Sequence, residues 1–191
     1  MMLQIDRKNL VVIDVETSGI NPFIHEVLSI AFVPFNPNLP KKIIHVHHQN
    51  IKWGDFAKEN FKKFSIEWHR DAITPEMACS EIEIYLKETF NNQTATAIGH
   101  NIGFDISFLR KLAYQGKRDQ LSGLSHRALD THTLLYLLTL EEKIPESAVT
   151  SEAAFDYFNI FVSEENRHTA IGDAEATNIL FRKILEKLQN N

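Results

Sequence analysis

Apolar residues are strung along this chain in short blocks whose period changes from one region to the next. Leu10-Val11-Val12-Ile13 is an unbroken apolar run that stops at Asp14, the pattern of a central strand buried on both faces. Residues 27–35 repeat it, closed by Pro34, Pro37 and Pro40, and residues 41–48 follow with Ile43 and Ile44 as their apolar content. Strands this close in sequence predict an antiparallel meander. Residues 94–98 and 127–130 supply two more short strands. Elsewhere the spacing is that of amphipathic helices, over residues 75–90, 106–115, 131–140, 151–158 and 173–188. Three strands, then helices alternating with strands, then a closing helix predict a mixed sheet covered by helices, an α/β or α+β arrangement. No repeat, low-complexity tract or linker interrupts it, so residues 1–191 read as one domain.

Three acidic segments sit where apolar runs give way to turns or helices. They are Asp14-Val15-Glu16-Thr17-Ser18-Gly19, Gly99-His100-Asn101-Ile102-Gly103-Phe104-Asp105, and His168-Thr169-Ala170-Ile171-Gly172-Asp173. Asp14 and Glu16 lie two apart on an extended chain and so point to one side. Asp105 and Asp173 fall at or near predicted helix N-termini, where backbone donors favour negative charge. Carboxylates gathered together repel, and burying them uncompensated is costly. If the fold unites these four, divalent cations are the natural compensation, and hard oxygen donors suit magnesium or manganese. His168 precedes Asp173 by five residues, with Gly172 expected to allow a sharp turn before the helix. Histidine titrates near neutrality and can take a proton from an attacking water. Taken singly, Asp14 could close a strand, Asp173 could cap a helix and His168 could be a surface histidine; unrelated residues have no reason to produce three such segments in order.

The three segments resemble the first, second and third motifs of the DEDDh, or DnaQ-like, 3′–5′ exonuclease family, which includes polymerase proofreading subunits, RNase T and oligoribonuclease. The first has the Asp-x-Glu-Thr-(Thr/Ser)-Gly form, the second His-Asn-x-x-Phe-Asp, and the third His-x-Ala-x-x-Asp-Ala, completed by Ala174. The resemblance implies a ribonuclease H-like fold with a five-stranded sheet. It implies that Asp14, Glu16, Asp105 and Asp173 hold two divalent cations, Mg²⁺ or Mn²⁺, and that His168 is the general base. A sister group instead uses a tyrosine four residues before the last Asp; that position is Thr169 here. The resemblance also places the turn bearing Thr17 and Ser18 against the substrate 3′ end, although these hydroxyls could equally bond backbone. His100 and Asn101 could support the second motif or approach substrate. Phe104 could stack on a base, but a phenylalanine inside a motif helix is more often core.

The implied activity is metal-dependent hydrolysis of single-stranded DNA or RNA to nucleoside 5′-monophosphates, with a polymerase as a conceivable partner. Two rivals stand beside it: a catalytically idle nucleic-acid-binding or scaffold module of the same fold, and an enzyme acting on a short phosphodiester. A net charge of −5 argues against a protein that coats DNA, and the four metal-binding carboxylates account for most of that charge. No apolar run reaches the ~18 residues of a membrane span, residues 1–9 lack a signal-peptide core, and one cysteine, Cys79, permits no internal disulfide; the expectation is a reducing cytoplasmic setting.

Between Trp53 and Trp68, Phe56, Phe61 and Phe64 interleave with Lys58, Lys62 and Lys63. The spacing of Phe61, Phe64 and Trp68 predicts a buried helical stripe rather than a stacking surface. His45, His47 and His48 read as exposed strand polarity, with no further ligand in view.

Overall fold

The alternation along the first strand decides which side of the sheet carries chemistry. A computed structural model describes residues 9–61, 65–163 and 168–189. β1 (Leu10–Thr17), β2 (Val27–Pro34), β3 (Lys42–His45), β4 (Ala95–Gly99) and β5 (Leu124–Asp130) form one sheet in the order β3-β2-β1-β4-β5. β1, β2 and β3 pair antiparallel, as the meander predicts, while β1–β4 and β4–β5 are parallel. The mixed five-stranded sheet flanked by helices is the architecture the sequence predicts.

Val11, Ile13 and Val15 of β1 pack with α3 (Pro75–Thr89) and α4 (Gly103–Gln115) on one face. Leu10 and Val12 pack on the other against α7 (Ala170–Gln189) through Ala170, Ala174 and Phe181. Because successive side chains alternate, Asp14 and Glu16 continue the α7 face. α5 (Thr131–Leu140), a 3₁₀ turn (Glu146–Ala148) and α6 (Ser151–Tyr157) close a separate apolar cluster against α7, centred on Leu135, Leu138, Leu180 and Ile184. α3 starts at Pro75 behind Thr74, whose hydroxyl accepts the Met77 N–H, a cap that fixes the boundary the sequence marks. Cys79 is buried, and burial pushes its thiol pKa up, which makes it a core side chain rather than a nucleophile.

Several expectations are corrected. The aromatic stretch carries α1 (Asp55–Phe61) and α2 (Ser65–Asp71). The buried stripe holds at Phe61 and Trp68, whose rings lie 6.3 Å apart beside Leu28 and Ala57; Lys62, Lys63 and Phe64 lie outside the described residues. β3 ends at His45, because Val46 turns away to bridge Ile73. The histidines there are not exposed strand polarity as a group. His48 is buried with Nε2 2.8 Å from the Val27 carbonyl, His45 stacks on Trp68 at 5.5 Å, and His47 is the exposed one. Gly172 makes no turn before a helix. α7 begins three residues earlier than expected, at Ala170, and Gly172 is buried within its first turn.

Candidate active site

The site forms where β1 ends and two helices begin. Thr169 caps α7, its hydroxyl accepting the Gly172 N–H at 3.2 Å and its carbonyl the Asp173 N–H at 3.0 Å. Asp173 is thereby set in the first helical turn, on the sheet face that carries Asp14 and Glu16. One carboxylate oxygen each from Asp14, Glu16 and Asp173 lie within 4.8 Å of one another. Asp105 arrives from the other face, in the first turn of α4, and is 5% exposed. Its Oδ1 accepts the Val15 N–H at 3.0 Å, so the residue between Asp14 and Glu16 is the one that fastens it. A register shift at Glu16 and Thr17 in the β1–β2 ladder ends regular pairing at this spot, the usual effect of a bulge beside a functional site.

The electrostatics follow from this crowding. Loss of water is the leading cause that pushes Glu16 up to about 8, with Asp173 and Asp105 adding to it. Asp105 rises to about 8, again chiefly through burial, against the opposing pull of its backbone hydrogen bonds. Asp14 is driven well above the ordinary carboxylate range by burial and then by Asp105, Glu16 and Asp173. Among the described residues no ion pair reaches Asp14, Glu16 or Asp105. Three carboxylates whose oxygens converge, with Asp105 close enough to raise Asp14 and Glu16 further and none of Asp14, Glu16 or Asp105 neutralised, are a donor set that fits hard divalent cations. The cluster is therefore one that could hold metal.

Asp14 and Asp173 open into a cleft of about 770 Å³ that His168 and His100 also line, with Ser151 and Phe155 of α6 on another wall. His168 is exposed and takes a left-handed backbone, φ 59°, so the sharp turn expected of Gly172 falls on the histidine itself. Its ring meets the edge of Phe56 at 6.2 Å. Phe56, 62% exposed, belongs to the aromatic and lysine stretch of residues 53–68 but lies outside the buried stripe of Phe61 and Trp68.

The remaining candidates divide. The Thr17 hydroxyl donates to the Gly19 carbonyl at 2.8 Å, and the Ser18 hydroxyl, fully buried, accepts the Glu26 N–H at 2.9 Å; of their two readings, both hydroxyls bond backbone. Phe104 is half-buried, 4.9 Å from Phe108 and packed on the core, which favours packing over stacking. Asn101 is exposed at φ 59°, its N–H held by Asp130 Oδ1 at 2.8 Å. His100 is tied to the Thr131 hydroxyl at 3.1 Å, and burial, with His132 second, lowers its pKa to about 4.

Two groups escaped the sequence reading. Asp130 joins the second motif to α5: it takes the Asn101 and His132 N–H groups and the Thr133 hydroxyl. An Asp directly before a predicted helix is a cap signal that could have found it. Glu26 sits under the first-motif turn, where Lys111 reaches it at 2.9 Å and Gln115 at 2.8 Å. No local pattern announces that network, because α4 supplies Lys111 and Gln115 and His48 Nδ1 approaches to 3.7 Å.

Comparisons agree with this geometry. Ribonuclease T of Buchnera aphidicola subsp. Baizongia pistaciae is 30% identical over 193 residues, covering 93% of this chain and 83% of its own. Ribonuclease T of Haemophilus ducreyi is 24% identical over 94% of this chain and 86% of its own. Among solved structures, E. coli exonuclease I in complex with a dT13 oligonucleotide has a TM-score of 0.76 at 15% identity, covering 94% of this chain. This chain spans 41% of that larger protein. The nuclease domain of 3′hExo, a DEDDh family member bound to rAMP, has a TM-score of 0.66 at 14% identity over 95% of this chain and 92% of that domain. Both share the fold. The model of the RNase T exonuclease family matches residues 11–181, and with the carboxylate cluster inside that span, the chain belongs to the exonuclease family.

Proposed function

We propose that residues 1–191 act as a single 3′–5′ exonuclease domain that hydrolyses single-stranded nucleic acid and releases nucleoside 5′-monophosphates. The observation that carries this reading is the meeting of Asp14, Glu16 and Asp173 within 4.8 Å at a cleft that His168 also lines. Asp14, Glu16, Asp105 and Asp173 would hold two divalent cations, Mg²⁺ or Mn²⁺. When bound, such ions supply an activated water and stabilise charge on the departing oxygen.

The chain's own groups do the rest. His168, exposed beside the cleft, accepts the proton of the attacking water and returns to solvent to release it. Phe56 limits the swing of its ring. Asp105, anchored on the Val15 N–H, keeps α4 and β1 in register so that Asp14 and Glu16 face Asp173 across the cleft. Retention of all four carboxylates and the histidine favours an enzyme over an idle module of the same fold. Among the described residues no helix is long and apolar enough to cross a membrane, and the free buried Cys79 suits the reducing cytoplasmic setting in which we place the protein.

The test is digestion of 5′-labelled single-stranded DNA and RNA oligomers with magnesium or manganese, beside EDTA and Asp14→Ala. A ladder shortening from the 3′ end, lost in both controls, supports the reading. Intact substrate at every length down to dinucleotides sinks it.

A further inference from the structure

Three rings leave the cleft in single file. His100, on the cleft wall, stacks on His132 with centroids 5.0 Å apart and planes 23° from parallel. His132 in turn meets Tyr136, one helical turn further along α5, at 5.0 Å and 40°. The file runs from half-buried His100 and His132 to Tyr136, which is 52% exposed. Leu137 and Leu140 continue the uncovered apolar surface of α5 at 44% and 80%.

The inner end of this file is held rigidly. His100 Nδ1 lies 3.1 Å from the Thr131 hydroxyl, which donates to the Gly99 carbonyl at the end of β4. Asp130 takes the N–H groups of both Asn101 and His132, 2.8 and 3.1 Å away. One carboxylate therefore locks the loop that carries His100 to the helix that carries His132 and Tyr136. Leu135 and Leu138, the buried apolar residues of α5, lie on another face, and Tyr136 points to solvent.

We propose that His132 and Tyr136 form a stacking ledge that receives a nucleobase of the single strand lying in the cleft. This rests on the exonuclease reading above and extends it to a substrate contact outside the three motifs. The chemistry of the ledge selects a base over a phosphate. Asp130 beneath it is a carboxylate, which repels phosphate, and His100 stays neutral because burial lowers its pKa to about 4. What the ledge offers is the faces of flat rings, and every base has a π-face to set against them. The contact is accordingly tolerant of sequence and is lost when the base is missing.

The experiment measures binding of 5′-fluorescein single-stranded 8-mers by anisotropy in EDTA, so that no cleavage intervenes. A set of oligomers each lacks one base, scanned across the first four nucleotides from the 3′ end. Base stacking on an aromatic supports a loss of about tenfold in Kd on alanine substitution. The expected result is that Tyr136→Ala weakens binding of the intact oligomer by about tenfold, while Tyr136→Trp restores it. One abasic position weakens wild-type binding by a similar factor, and at that position alone Tyr136→Ala binds as wild type does. His132→Ala shows the same positional pattern. The ledge is overturned if both alanine variants bind the intact oligomer like wild type. It is equally overturned if their defect is the same for every abasic oligomer, as a general loss of structure would produce; thermal melting checks that the exposed Tyr136 can be changed without unfolding. If wild type digests the labelled strands from the 3′ end while either overturning result is obtained, the ledge fails alone. If wild type neither binds nor digests them, both readings fail.

Discussion

Removing divalent cations makes this protein a sensor of its own carboxylates, with a sign fixed by the direction of the pKa shifts. Glu16 rises from 4.5 to about 8 in the folded state and Asp105 from 3.8 to about 8. Between those values the folded protein keeps protons that the unfolded chain has released. Stability is therefore complete below the unfolded pKa and falls as pH rises through the folded one. One such retained proton costs about 1.4 kcal/mol per pH unit, or roughly 3 kcal/mol between about pH 5.5 and pH 8. Because the four carboxylates feel one another, their contributions overlap and are not summed. For a chain of this size 1 kcal/mol moves Tm by about 2–4 °C, so in EDTA the melt should drop by about 6–12 °C across that interval. A cation at a hundred times its Kd restores about 2.7 kcal/mol, and the restoration should be largest at high pH, where the ligands are ionised. Differential scanning fluorimetry in EDTA, magnesium and manganese at several pH values provides the readout. Glu16→Gln should flatten the EDTA profile. A melt that is flat with pH in EDTA and indifferent to both cations would refute the reasoning.

Other outcomes follow from single contacts. Asp105→Asn keeps an acceptor for the Val15 N–H and removes a repelling charge, so in EDTA at high pH it should melt no lower than wild type while digestion is lost. Asp105→Ala instead leaves that N–H buried and unpaired and should cost roughly 1–3 kcal/mol in urea denaturation. His168→Ala should lower kcat by about 10²–10⁴-fold yet retain the cation-induced rise in Tm; loss of that rise would make His168 a ligand instead. Lys111→Met removes the lysine from the Glu26 carboxylate beneath the first-motif turn and should cost roughly 3 kcal/mol, measurable by urea denaturation; an unchanged midpoint would show that Gln115 and His48 satisfy Glu26.

What the sequence discloses here tracks how local the cause is. β1 and β2 were legible because both lie wholly inside the sheet, and continuous apolar runs have few other uses. Asp14 and Glu16 shared a side by alternation alone, and the ordered motifs placed Asp105 and Asp173 at helix starts. The start of α7 was misplaced because Gly172 reads as a breaker in isolation, whereas Thr169 supplies the cap and the helix absorbs the glycine. Asp130 carries a local cap signal, whereas Glu26 and the meeting of His100 with His132 depended on partners some 30 to 90 residues away, such as Lys111 or Gln115 for Glu26. Periodicity cannot see such partners. The spacing of Phe61 and Trp68 was legible as a buried stripe, and the two rings do pack together beside Leu28 and Ala57.

The central claim is that the carboxylates at the end of β1 form a cation centre for phosphodiester hydrolysis. Anomalous scattering from crystals grown with manganese and a nucleoside 5′-monophosphate tests it most directly. The account predicts manganese peaks at the carboxylates of Asp14, Glu16, Asp105 and Asp173, with the nucleotide phosphate and His168 beside them. Manganese absent from these carboxylates, or bound only elsewhere on the surface, would contradict it.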